Sequence, residues 1–191
     1  MTRISKAKPA PTLHDSLLTP NRMVAVIGAG YWGKNLVRNF YQLGVLRTIC
    51  DGSQSICEEM IGTYPDVVVT RDISSVLNDA AVKAIVIATP PALHFEIAKE
   101  ALFSGKHLFV EKPLALNHAN GAKLVQLAAD REKILFVGHI LHYHAAVIRL
   151  KEIIKAGKIG KLQYIYSRRL SLGKIRREEN ILWSFAPHDI S

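Results

Sequence analysis

"MVAVIGAGYWGKN", residues 23–35, decides the fold. An apolar run leads straight into glycines at positions 28, 30 and 33, and a helix-forming stretch follows. A strand with no polar face must be covered on both sides, which a parallel sheet between helix layers provides and an exposed hairpin does not. The glycine spacing is GxGxxG, and each glycine has a mechanical reason. Gly28 permits a tight turn, Gly30 leaves the backbone bare where another group must come close, and Gly33 lets the helix start pack tightly. The free N–H groups at that helix start carry partial positive charge, so the turn is suited to a pyrophosphate.

Working outward, "YWGKNLVRNFYQLG" reads as a helix stopped by Gly44, and "LRTIC" as a second strand. Asp51 ends that strand, eighteen positions after Gly33. An acid there can accept both hydroxyls of an adenosine ribose, whereas a 2′-phosphate would meet a carboxylate; the pattern predicts NAD rather than NADP. Gly28, Gly30, Tyr31, Trp32, Gly33 and Asp51 are the cofactor-binding candidates of this half. A glycine turn with no ligand is the plain alternative.

The alternation continues with "SQSICEEMIG" as helix, "DVVVT" and "AIVIAT" as strands, and "HFEIAKEALFSG" as helix. After these come "HLFV" as strand, a helix from Asn117 (its N-cap) to Asp130, and "ILFVG" as strand. The expected architecture is α/β: a doubly wound parallel Rossmann sheet over residues 22–142, followed over 143–191 by the start of an incomplete α+β second domain. In that second part Ala146, Val147, Leu150, Ile153, Ile154 and Gly157 trace a helix face and its glycine stop, and "KLQYIYSRRLSL" reads as a strand of another sheet. Residues 1–21 hold three prolines and no apolar period, and read as a flexible tail.

The totals exclude several classes. Half of the 191 residues are apolar, enough for one good core. No apolar run approaches the ~18 residues of a membrane span, and no apolar segment follows the basic N-terminus, so a cytoplasmic protein without a membrane partner is expected. Cys50 and Cys57 read as reduced, inert thiols. The formal charge of +9 admits nucleic acid, but it is split between the tail and the stretch from Arg168 to Arg177, with no basic helix or stacking face. An anionic small molecule suits that split better than nucleic acid does.

Three further motifs carry possible chemistry. "ATPPALH", residues 88–94, places Thr89, Pro90 and His94 at the carboxyl edge of the fourth strand, where open α/β sheets bind ligands. An ordinary strand-to-helix turn capped by His94 explains the same residues. "EKP", Glu111 to Pro113, ends the fifth strand on the same edge. A lysine near a cationic nicotinamide would have its pKa lowered and could serve a substrate hydroxyl, while a surface Glu-Lys pair before a turn proline is the ordinary reading. "GHILHYHAA" gathers His139, His142 and His144 without a carboxylate or thiolate at ligand spacing, so no metal is expected.

Together "VIGAGYWGKN", Asp51, "TPPALH", "EKPLAL" and the two-domain split resemble the glucose-fructose oxidoreductase, inositol dehydrogenase and MocA family, over nearly everything from Met23 onward. The resemblance implies that Lys112 contacts substrate and nicotinamide ribose, that Glu111 helps hold the cofactor, and that Pro113 follows a cis bond. "GKIRREENILWSFAPHDIS", residues 173–191, resembles the branch that oxidises UDP-N-acetylglucosaminuronic acid at carbon 3 for bacterial surface polysaccharides. That likeness makes His188 a second catalytic residue beside Lys112, although a His188-Asp189 pair taken alone reads as structural. It assigns Arg168, Arg169, Asn180 and Ser184 to an anionic nucleotide-sugar substrate. Ser184 stands where many relatives have an aspartate, and Ala145 where they often have proline. The resemblance implies a homo-oligomer for a relative of full length, an expectation that is weaker at the length of this chain.

Overall fold

A computed structural model describes residues 22–168, 183 and 186–190, with the side chains of His188 and Asp189 outside the description. The chain divides into two compact units, Met1–Lys83 and Ala84–Ser191.

The first unit holds β1 (Val24–Ile27), α1 (Gly33–Gln42), β2 (Leu46–Cys50), α2 (Gln54–Thr63), β3 (Val68–Thr70) and α3 (Ile73–Asn78). Its strands pair in parallel, β1 with β2 and β2 with β3. All four residues of β1 are buried, as its unbroken apolar run requires. Gly44, after α1, has φ 73°, the left-handed conformation that closes a helix C-terminus. Cys50 and Cys57 are free and buried. Burial pushes the Cys50 thiol up to about 12, with Cys57 and Asp51 adding to the effect.

The second unit holds β4 (Ala84–Ile87), α4 (Pro91–Phe103), β5 (His107–Val110), α5 (His118–Asp130), β6 (Leu135–Val137), a 3-10 turn (Ile140–Tyr143), α6 (Ala145–Lys155) and the single turn α7 (Pro187–Ile190). Its strands also pair in parallel, β4 with β5 and β5 with β6. Ile85, Ile87, Leu102, Leu108, Val110 and Leu124 form its core. Pro91 opens α4, where its missing N–H costs nothing. Asn117 caps α5 as expected, its side chain accepting from the Asn120 amide at 2.8 Å.

The six strands form one sheet in the order β3-β2-β1-β4-β5-β6, the doubly wound Rossmann arrangement. Two readings of the sequence need correction. The helix α3 is absent from the sequence reading, because six residues are too few to show a period. The strand expected in "KLQYIYSRRLSL" does not form over its described part: residues 161–168 carry no strand, and Tyr164 is 83% exposed. Extended chain becomes a strand only when a neighbour takes up its N–H and C=O groups, and no described strand lies beside it.

Asp72 extends its carboxylate over the start of α3 and accepts from Ser74 N at 2.9 Å and Ser75 N at 3.1 Å. Asp72→Ala is expected to lower stability by about 1 kcal/mol, read as a lower urea midpoint at unchanged slope.

Candidate functional site

Within each unit the parallel strands end on one edge at their carboxyl ends, and each unit places its motif at that edge of its own. In the first unit the glycine turn follows β1. Gly28 has φ 92°, a conformation that a side chain would strain, and its N–H donates to Cys50 O at 2.8 Å. The Asp51 carboxylate is held from both sides, Oδ2 by the Ala29 amide at 2.7 Å and Oδ1 by the Ser53 amide at 2.8 Å. A carboxylate has about four acceptor sites, so two remain for a ribose diol. Arg71, after β3, donates Nε to Gly52 O at 3.1 Å and a terminal N–H to the Gln54 side chain at 3.2 Å. Sequence reasoning missed it; its signal was a lone basic residue just past the third strand.

A Cβ built at Gly30 meets no protein atom within 4 Å. Nothing in the fold itself therefore demands glycine at this point, and the bare backbone faces open space. Gly33 is buried at the first turn of α1, which has no acidic residue to compete for its free N–H groups. Tyr31 is 92% exposed and Trp32 partly so.

In the second unit the edge is built by Thr89, Glu111 to Pro113, and Gly138 to His139. Among the described residues the buried Thr89 hydroxyl has no hydrogen-bond partner, an arrangement that folded proteins rarely leave unless another group completes it. Glu111 is buried and lies against Gly138: a Cβ there would stand 2.9 Å from Glu111 Oε1 and 3.1 Å from Oε2. Gly138 is thus the floor under the Glu111 carboxyl, a role with no trace in the sequence. The Lys112 amide lies 3.3 Å from Glu111 Oε2, and the Lys112–Pro113 peptide is cis, as the resemblance implied. His94 is 1% exposed, with Nδ1 2.7 Å from Pro113 O and Nε2 2.8 Å from Thr89 O. Pro90 precedes the first turn of α4.

His139 follows Gly138, and its buried Nδ1 has no hydrogen-bond partner among the described residues. Burial, then repulsion from His142 and Lys112, holds its imidazole below the ordinary value of 6.5. It lines a cavity of about 370 Å³ with Pro113, Leu114, Asn117, Trp183 and Pro187. Among the described residues no group of three or more His, Cys, Asp or Glu is placed to hold a metal ion. No described helix is long and apolar enough to cross a membrane.

Of the residues assigned to substrate, Arg168 is described and exposed; Arg169, Asn180 and Ser184 lie outside the described residues, as does the His188 side chain. The backbone at His188 belongs to α7.

Residues 22–139 match the family model described as "Oxidoreductase family, NAD-binding Rossmann fold", GFO_IDH_MocA. The chain is 30% identical over 149 residues to the 2,7-anhydro-N-acetylneuraminate hydratase of Mediterraneibacter gnavus, covering 76% of this chain and 38% of that one. It is 27% identical over 174 residues to the scyllo-inositol 2-dehydrogenase (NADP(+)) of Bacillus subtilis, covering 88% and 48%. Among solved structures, the UDP-N-acetylglucosamine 3-dehydrogenase of Acidithiobacillus ferrooxidans superposes with a TM-score of 0.63 at 27% identity, covering 68% and 42%. The chain thus spans less than half the length of each of these three proteins.

Two outcomes follow from this geometry. Gly30→Ala should leave stability within about 0.5 kcal/mol, yet weaken NAD binding in a calorimetric titration by at least about tenfold, because the added methyl fills only the approach to the backbone. Retained affinity would place the dinucleotide elsewhere. For His139, the unfolded chain protonates before the folded one as the pH falls. The stability it contributes is therefore complete above about pH 6.5 and is lost as the pH drops toward the lower folded value. His139→Gln should shrink the difference in urea midpoint between about pH 7.5 and about pH 5.5, and an unchanged difference would contradict this reading.

Proposed function

The chain belongs to the GFO_IDH_MocA family of oxidoreductases with an NAD-binding Rossmann fold, and from that premise we propose that it oxidises a ring hydroxyl of a sugar. The finer reading is the carbon-3 hydroxyl of a UDP-N-acetylaminouronic acid, in the making of bacterial surface polysaccharide. NAD is the cofactor, and the residues present suit it. Gly30 leaves room for a pyrophosphate, Asp51 keeps two acceptor sites for a ribose diol, and the Thr89 hydroxyl lacks a partner among the described residues. Bound NAD⁺ supplies the hydride acceptor.

The single observation that carries the reading is the Lys112 turn, which stands at the carboxyl edge of β5 beside a buried glutamate seated on Gly138. In this reading Lys112 hydrogen-bonds the substrate hydroxyl and steadies the oxygen as negative charge develops on it. His188 or Lys112 receives the proton. Arg168 and Arg169 hold the diphosphate and carboxylate by charge-assisted hydrogen bonds. The sugar nucleotide is suggested by the tail motif "WSFAPHD", and the likeness to a UDP-N-acetylglucosamine 3-dehydrogenase supports it. The start of a substrate domain at residue 143 belongs to the same proposal.

A hydratase is the second reading, favoured by the 30% identity to a protein of that name. Mixing the polypeptide with NAD⁺ and a UDP-N-acetylaminouronic acid separates the two. Steady growth of NADH absorbance is expected of the dehydrogenase, whereas loss of substrate without net NADH would favour the hydratase. Lys112→Ala should keep NAD affinity within about threefold while turnover falls at least about a hundredfold. Equal loss of both would make the lysine merely structural.

A further inference from the structure

His94 presents a hydrogen-bonding problem that a neutral imidazole cannot solve. Its two ring nitrogens lie 2.7 Å from Pro113 O and 2.8 Å from Thr89 O, and both of these are carbonyl oxygens, which only accept. A neutral ring has one N–H, so one contact would set a nitrogen lone pair against an oxygen lone pair at hydrogen-bond distance. With 1% of the residue exposed, no solvent relieves that repulsion.

We propose that His94 carries a proton on both ring nitrogens and is a positioning residue, its two N–H groups tying the tip of β4 to the Lys112–Pro113 turn. The two carbonyls belong to residues 24 positions apart, Thr89 and Pro113, and the ring bridges them through its two nitrogens. One end of the bridge is the residue whose hydroxyl lacks a partner among the described residues; the other follows Lys112 directly. Two charge-assisted hydrogen bonds offset the cost of burying the cation. The position is otherwise unhelpful to a charge, since His94 lies near the amino end of α4, where the helix dipole opposes a cation. The turn that carries Pro113 contributes one acid, the buried Glu111, and one further base, Lys112. Acids and bases on α4 itself are Glu96, Lys99 and Glu100; β5 and α5, which pack on it, carry His107, His118, Lys123 and Asp130.

Only the purpose of the fixed spacing rests on the dehydrogenase reading, and the protonation of the ring can be observed without cofactor or substrate. Histidine-selective ¹⁵N labelling of the intact chain, with His94→Asn to assign the signals, reads it directly near pH 7. Two protonated ring nitrogens on His94, each showing a one-bond coupling to its own proton, are the expected result. A single protonated nitrogen overturns the proposal, whatever the NADH assay gives. The positioning role has its own readout. His94→Gln, which cannot span both carbonyls, should shift the backbone amide resonances of Thr89 and of Glu111 and Lys112, and reduce turnover at least tenfold more than it weakens NAD binding. Unshifted resonances at those residues would remove the role.

Discussion

The register of β1 on β2, with Ile27 opposite Cys50, is the constraint on which the first unit depends. It carries the Gly28 N–H onto the Cys50 carbonyl and the Ala29 N–H onto the Asp51 carboxylate, so the turn after one strand is fixed by the end of the next. A one-residue slip would leave these doubly covered strands apolar on both faces but would carry the turn and the acid out of register with each other. The same carboxylate fixes the start of the following loop through Ser53, so a single acid organises the edge before any ligand arrives.

The second unit solves the same problem by different means. Its edge holds no glycine-rich turn. Instead a buried glutamate rests on Gly138, and a buried histidine spans two carbonyls. Polar groups of this kind are costly to bury unless they are paired, and the pairing restricts the turn between β5 and α5 to one arrangement. The half-buried Lys112 in this turn therefore stands on a rigid base.

Much of this was legible in the sequence because the signals are local. The glycine spacing after an apolar run, the acid at the end of "LRTIC" and the cap at Asn117 depend on neighbours within a few residues, and the structure places each where its local chemistry puts it. The failures have a common physical cause. The six-residue helix after Asp72 is held by a cap and two serines rather than by a repeating apolar face, so periodicity could not reveal it. "KLQYIYS" has strand-like composition, but a strand exists only with a partner. His94 and Gly138 make their essential contacts with residues 19 and 27 positions away in sequence, a separation that no local pattern records. The substrate is a different matter. One relative is named a hydratase and another a dehydrogenase, so likeness in this domain does not by itself select the reaction or the reactant.

The two cysteines have a practical corollary. Cys50 and Cys57 are both buried, and Cys50 holds its proton up to about 12, so neither offers an accessible thiolate to an alkylating reagent. Among the described positions the folded polypeptide is thus chemically silent toward maleimides. A cysteine engineered on its surface, at exposed Tyr31 for example, would accept a fluorophore or spin label at that single address.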